Sequence, residues 1–116
     1  MMKTSKYRSR RAVCRAGHTH QSQRESKRCD ELHLLQKAGI ISRLEIQPKF
    51  ELQPEFVDCR GKKHQAIHYI ADFLYITEGE GRHLVVEDAK GYRTKEYKIK
   101  IKMFLYQNTE IDFREV

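Results

Sequence analysis

No apolar run in this 116-residue chain approaches the ~20 residues a membrane-spanning helix requires, and no basic n-region with an apolar h-region opens it. That excludes a membrane-spanning helix, and the expectation is a cytoplasmic protein with no export and no membrane partner. Cysteine is scarce. Cys14, Cys29 and Cys59 are odd in number and share no C-x-x-C spacing, which excludes a disulfide framework and leaves reduced thiols. Proline occurs twice, and Pro48 falls inside an otherwise strand-like run. Acid is missing from residues 1–15, which carry Lys3, Lys6, Arg8, Arg10, Arg11 and Arg15. Those six residues supply most of the net charge of +7, leaving 17 basic against 16 acidic residues in the remainder.

What is present, 39% hydrophobic and 34% charged residues, describes one polar globular domain with a modest core. Residues 1–15 read as a basic arm, disordered alone and attracted to polyanions, with a merely solvated tail as the alternative. Residues 16–116 then form the domain. Cys14, His18 and His20 raise the question of a zinc-stabilised module. The run lacks a fourth ligand at a usual spacing, so residues 16–21 read more simply as an extended lead-in to a helix.

That helix starts at a capping box, Ser22-Gln-Arg-Glu25, and Gly39 is a suitable stop. Cys29, Leu32 and Leu35 lie on one stripe, and Glu25 falls one turn before Cys29, so it faces the core side as well as the cap. Residues 43–52 alternate Leu44, Ile46, Phe50 and Leu52 and predict a strand, with Pro48 at an edge or bulge. Residues 55–65 hold Arg60-Gly-Lys-Lys63, an exposed basic turn suited to phosphate contact or simply solvated. Residues 69–91 predict a β-hairpin around the polar loop 77–82. Its tightest register sets Ile76 opposite Leu84 and Leu74 opposite Val86, which brings Asp72 opposite Asp88 and Ile70 opposite Lys90. Like charges so placed destabilise a sheet unless something binds them, and a divalent cation is the simplest such partner. An ordinary exposed pair at a strand end is the plainer reading of these residues taken alone. Residues 92–107 are read as a helix by length, with Tyr97, Ile101, Phe104 and Leu105 on one face and Lys95, Lys98 and Lys102 on another. Residues 110–116 predict a last short strand.

The resulting order, helix–strand–strand–strand–helix–strand, with carboxylates on the central strands and a lysine two after the second, resembles the core of the PD-(D/E)XK nuclease superfamily. S-x-x-E at 22–25, Q-P-K-F at 47–50, Y-x-A-D-F at 69–73 and V-E-D-x-K-G at 86–91 resemble more closely a family of small phage and prophage proteins of unassigned function grouped with it. The resemblance implies a single α/β restriction-endonuclease-like domain, an αβββαβ core with a mixed central sheet. It implies a metal-dependent DNA endonuclease in a bacterial host, phage or prophage encoded and acting on branched or replication DNA. A non-catalytic DNA-binding or assembly protein that keeps the fold is the alternative.

Position by position, Asp72 matches the first acid, Asp88 and Lys90 match the D/E-x-K element, and Glu25 matches the helix glutamate that completes many such sites. Ala71 stands where a proline often precedes the first acid, and Glu87, of opposite strand parity to Asp88, is not placed in the site. Asp72, Asp88 and Glu25 would hold Mg²⁺ (or Mn²⁺), Lys90 would serve as a point cation, and Gln47 would line the site. DNA contacts would come from Arg8, Arg10, Arg11, Lys62, Lys63, Lys95, Lys98 and Lys102. Cutting two strands requires two sites, which is compatible with a homodimer, though no stretch identifies an interface.

Overall fold

A computed structural model describes residues 12–17, 19–20, 22–79, 81–89 and 93–116. The expected arm residues Arg8, Arg10 and Arg11 lie outside it, as do His18 and Lys90. Among the described residues the first strand precedes residue 16. Strands β1 (Ala12–Val13) and β2 (Thr19–His20) pair antiparallel, and between them Cys14 is buried in the core. Thr19 and His20 are thus the return strand of a small hairpin whose first turn closes with the Gly17 N–H donating to the Cys14 carbonyl at 2.9 Å, not a bare lead-in. Gly17, at φ +90, makes that turn, a conformation that side chains with a Cβ rarely adopt.

Helix α1 (Gln23–Lys37) has Ser22 as its N-cap, whose hydroxyl accepts from the Glu25 N–H at 3.2 Å. Gly39 follows its C-cap at φ +78, as the sequence pattern predicts. Cys29 and Leu32 are fully buried against the sheet, with Leu35 packed beside them.

The predicted strand over 43–52 is in fact two, β3 (Ile41–Ile46) and β4 (Lys49–Gln53). Gln47, at φ +53, and Pro48 break the ladder between them. The break has a consequence for the core. Leu44 and Ile46 pack with α1, whereas Phe50 and Leu52 pack in a second cluster beneath the other helix, so the four do not share one face. Strands β5 (Phe56–Val57) and β6 (Lys63–His64) form a small hairpin around the basic turn, and β7 (Ile67–Ile70) returns alongside β4.

The predicted strand carrying Asp72 is likewise split. β7 ends at Ile70, and β8 (Phe73–Thr77) joins a different sheet, with Ala71 and Asp72 as the link. Ile70 therefore pairs with Lys49 in β4 and is half exposed; its expected partner Lys90 lies outside the described residues. Strand β9 (His83–Asp88) pairs with β8 in the predicted register, Ile76 with Leu84 and Leu74 with Val86.

Helix α2 (Lys95–Gln107) is capped by Thr94, which accepts from the Tyr97 N–H at 3.0 Å. Phe104 is fully buried, Tyr97 and Ile101 pack with it, and Met103 takes the place expected of the exposed Leu105. Strand β10 (Asp112–Glu115) runs parallel to β9, a pairing that needs the crossover connection α2 supplies. The four-stranded sheet has the order β10-β9-β8-β3, with β9 central and β8 antiparallel to both its neighbours. The fold is one mixed α/β domain. Helix α1 covers the sheet face of Phe73, Tyr75 and Val85, and α2 covers that of Leu74 and Val86. Among the described residues no helix is long and apolar enough to cross a membrane.

Candidate functional site

Strand alternation sends Glu87 and Asp88 to opposite faces of β9, and each meets a different set of partners. Both carboxylates are completely buried. Burying a charged group costs several kcal/mol unless partners replace its water, so each set of partners has to be identified.

On the α2 face, Asp88 Oδ2 accepts a hydrogen bond from the phenol of Tyr69. Burial first, and then the charge of Asp88, push the Tyr69 phenol far above its ordinary range, so it stays a donor. Tyr97 of α2 is raised too, by burial first, then by Asp88 and by its bond to Glu115 at 3.0 Å. Arg93 holds the same Glu115 oxygen at 2.7 Å. The backbone of Asp88 also fastens the last strand, accepting from the Val116 N–H at 3.0 Å.

Asp72, 6% exposed, sits where the β7 and β8 ladders part. Its N–H donates to the Glu87 carbonyl at 3.1 Å, and its own carbonyl accepts from the Gln47 N–H at 2.8 Å. Its Oδ2 accepts from the Ala89 N–H at 2.6 Å, while Oδ1 accepts no hydrogen bond among the described residues. Asp72 and Asp88 therefore lie at neighbouring ends of β8 and β9. The split of the strand frees Asp72 from the ladder and turns one of its oxygens onto the backbone just beyond Asp88.

Glu25 is buried, 4% exposed, in the first turn of α1, near enough to Cys29 to help hold the proton on its thiol. Burial is the main cause there, and contact with Cys14 adds to it, pushing the Cys29 thiol up to about 12. Among the described residues no three His, Cys, Asp or Glu side chains are arranged to hold a metal ion together. Glu25, Asp72 and Asp88 are thus not gathered into one cluster of three: Asp72 and Asp88 share the strand ends, Glu25 sits in the first turn of α1, and Cys14 is buried in the core, while His18 lies outside the described residues. Gln47 adjoins Asp72 through its backbone.

The expected DNA contacts are spread over two surfaces. Lys62 and Lys63 ride on the β5–β6 hairpin, whose turn is pinned by Asp58 Oδ1 accepting from the Arg60 and Lys62 N–H groups at 2.8 and 3.0 Å. Lys63 is paired with Glu55 at 3.2 Å. Lys95, Lys98 and Lys102 are exposed along α2, where Lys100 takes the Glu96 partner.

Two elements escaped the sequence reading. Tyr69 is a letter of the Y-x-A-D-F motif, but only the fold shows that it holds Asp88. Arg28 clamps Glu87 on the α1 face, through Nε and Nη2 at 2.7 Å each, with the Tyr75 phenol on the same carboxylate. A glutamate of core-facing parity needs a cation, and Arg28, one turn after Glu25, was the available signal.

Comparison with curated proteins returns no match, and comparison with solved structures returns none. A family model does match, over residues 4–116, nearly the whole chain. The chain belongs to the family described as "Protein of unknown function (DUF1064)".

Proposed function

We propose that the chain is a metal-dependent DNA endonuclease with a restriction-endonuclease-like core, hydrolysing phosphodiester bonds at the Asp72/Asp88 end of the sheet. The observation that carries this reading is the pair of buried carboxylates at neighbouring ends of β8 and β9, whose Oδ2 atoms are held by neutral donors, a backbone N–H and a phenol. The order α1, β3, β8, β9, α2, β10 around the four-stranded mixed sheet, with β4 to β7 inserted between β3 and β8, supports it.

The residues present fit a magnesium-like cation. Such an ion takes oxygen ligands, keeps several waters and is commonly held by one or two carboxylates with substrate phosphates completing the shell. Asp72, with its Oδ1 accepting no hydrogen bond among the described residues, and Asp88 would supply the oxygens. A bound Mg²⁺ or Mn²⁺ would lower the pKa of a coordinated water and neutralise charge developing on the phosphate. The Ala89 N–H fixes Asp72, and Tyr69 fixes Asp88 while staying protonated, so neither carboxylate has to reorganise. Lys90, two residues beyond Asp88, is assigned the role of a point cation toward the phosphate.

The test is cleavage of linear, nicked and branched DNA by purified protein in Mg²⁺, Mn²⁺ or EDTA. Cleavage with either metal, lost in EDTA and in Asp72→Asn and Asp88→Asn, is expected. DNA binding by the parent with no cleavage of any substrate would instead establish the non-catalytic alternative.

A further inference from the structure

One face of α1 is not used by the site above. Arg24, Lys27, Arg28 and Glu31 follow one another at i, i+3, i+4 and i+7, which places them on a single helix face. With Val116 they line an open groove of ≈ 490 Å³. The charges in the groove are not equivalent. Arg28 gives two N–H groups to Glu87 and one to Glu31 at 3.2 Å, so it answers both acids of the neighbourhood and is rigidly held. Two of its five N–H donors remain beyond those bonds. Arg24 and Lys27 are exposed and make no ion pair among the described residues, so the surplus charge of the groove is positive. The groove lies on the face of β9 opposite the Asp88 carboxylate and meets the candidate site at its backbone. Val116, in its lining, donates its N–H to the backbone carbonyl of Asp88, and Arg28 grips Glu87, the residue before it.

We infer that this groove binds the phosphodiester backbone of DNA, with Arg24, Lys27 and Arg28 as its contacts, and leads that backbone to the strand ends carrying Asp88. The inference rests on the proposed hydrolytic reading for its direction, but the groove can be tested by binding alone. A preformed guanidinium suits a phosphate because its geometry matches two oxygens, and its clamping by Glu87 removes most of the entropy otherwise lost on binding. The two mobile cations beside it would each displace a condensed counterion from the DNA.

The experiment is equilibrium binding of a labelled DNA duplex in EDTA, where hydrolysis cannot intervene, over a salt series. In Arg24→Ala/Lys27→Ala the slope of log K against log salt should fall by about 2, since each phosphate contact contributes roughly 0.9. Arg24→Glu/Lys27→Glu should abolish binding at the salt where the parent binds, and both variants should melt like the parent. Lys37→Ala, in the last turn of α1 and outside the groove, should bind like the parent. A parent that binds no DNA at low salt, or a double alanine variant with an unchanged slope and affinity, would overturn the groove. If the slope falls but no metal supports cleavage, the groove stands and the hydrolytic reading fails. If cleavage is metal-dependent and the slope is unchanged, the reverse holds.

Discussion

Removing Arg28 should cost a large part of this protein's stability, because of what it leaves behind. Glu87 is fully buried and takes both Arg28 bonds at 2.7 Å, with Tyr75 as its other donor. In Arg28→Met the methionine replaces the stem, but the carboxylate keeps only a phenol. Breaking a buried pair in this way costs roughly 3–5 kcal/mol. The Arg28 side chain is 24% exposed, so water already shares part of its charge, and the lower end, about 3 kcal/mol, is the expectation. For a domain of this size that is a melting-temperature loss on the order of 10 °C. It is a large part of a total stability of about 5–15 kcal/mol. The compensating variant removes the whole network. Arg28→Met/Tyr75→Phe/Glu87→Leu leaves no buried polar atom from this cluster and should return to within about 1 kcal/mol of the parent, because well-packed apolar replacements of ion pairs are often neutral. Urea unfolding of the three proteins decides the matter. A loss below 1 kcal/mol in Arg28→Met, or a triple variant as unstable as the single one, would refute the reasoning.

Alkaline pH should destabilise the fold from about pH 9 upward. Burial first, and then the Glu87 bond, raise the Tyr75 phenol from 10.0 to about 12, and burial raises Cys29 from 9.0 to about 12. Both groups keep their protons longer when folded, so their contributions are complete below the unfolded pKa and vanish as pH rises through the folded one. Urea midpoints should fall between pH 9 and 12, and Tyr75→Phe should shrink the part of the fall above pH 10; a flat profile would contradict the assigned burial. Glu25→Gln separates the cap from the candidate site. The Ser22 cap accepts from the Glu25 backbone, which Gln keeps, so stability should change by less than the ~1 kcal/mol typical of a lost cap. Cleavage equal to the parent in this variant would confine the site to Asp72, Asp88 and Lys90, whereas a raised metal requirement would bring Glu25 back to it.

Local chemistry was legible in the chain wherever neighbours in sequence decide it. Ser22 and Gly39 bound α1 because a hydroxyl cap and a positive-φ stop act within a single turn. The β8–β9 register followed from parity, since a slip by one would have turned Leu74 and Val86 away from α2. The mixed sheet was an expectation from the family resemblance, and the structure has it, β10 pairing parallel to β9. The family resemblance named Asp72 and Asp88, and both are buried at neighbouring strand ends.

The tertiary structure decided the rest, and the reason is that apolar alternation does not register a backbone break. Leu44 to Leu52 alternates as a single strand would, yet a positive φ at Gln47 sends its two halves to opposite cores. The same is true of Ile70 and Leu74, divided by Ala71 and Asp72, and only that division turns Asp72 onto the Ala89 N–H. Contacts between residues 59 apart, as in Arg28 and Glu87, leave a parity hint at one end and nothing at the other. Cys14 was legible as one of three thiols but not as core, because its burial comes beside a hairpin of two-residue strands too short to leave a periodic signal.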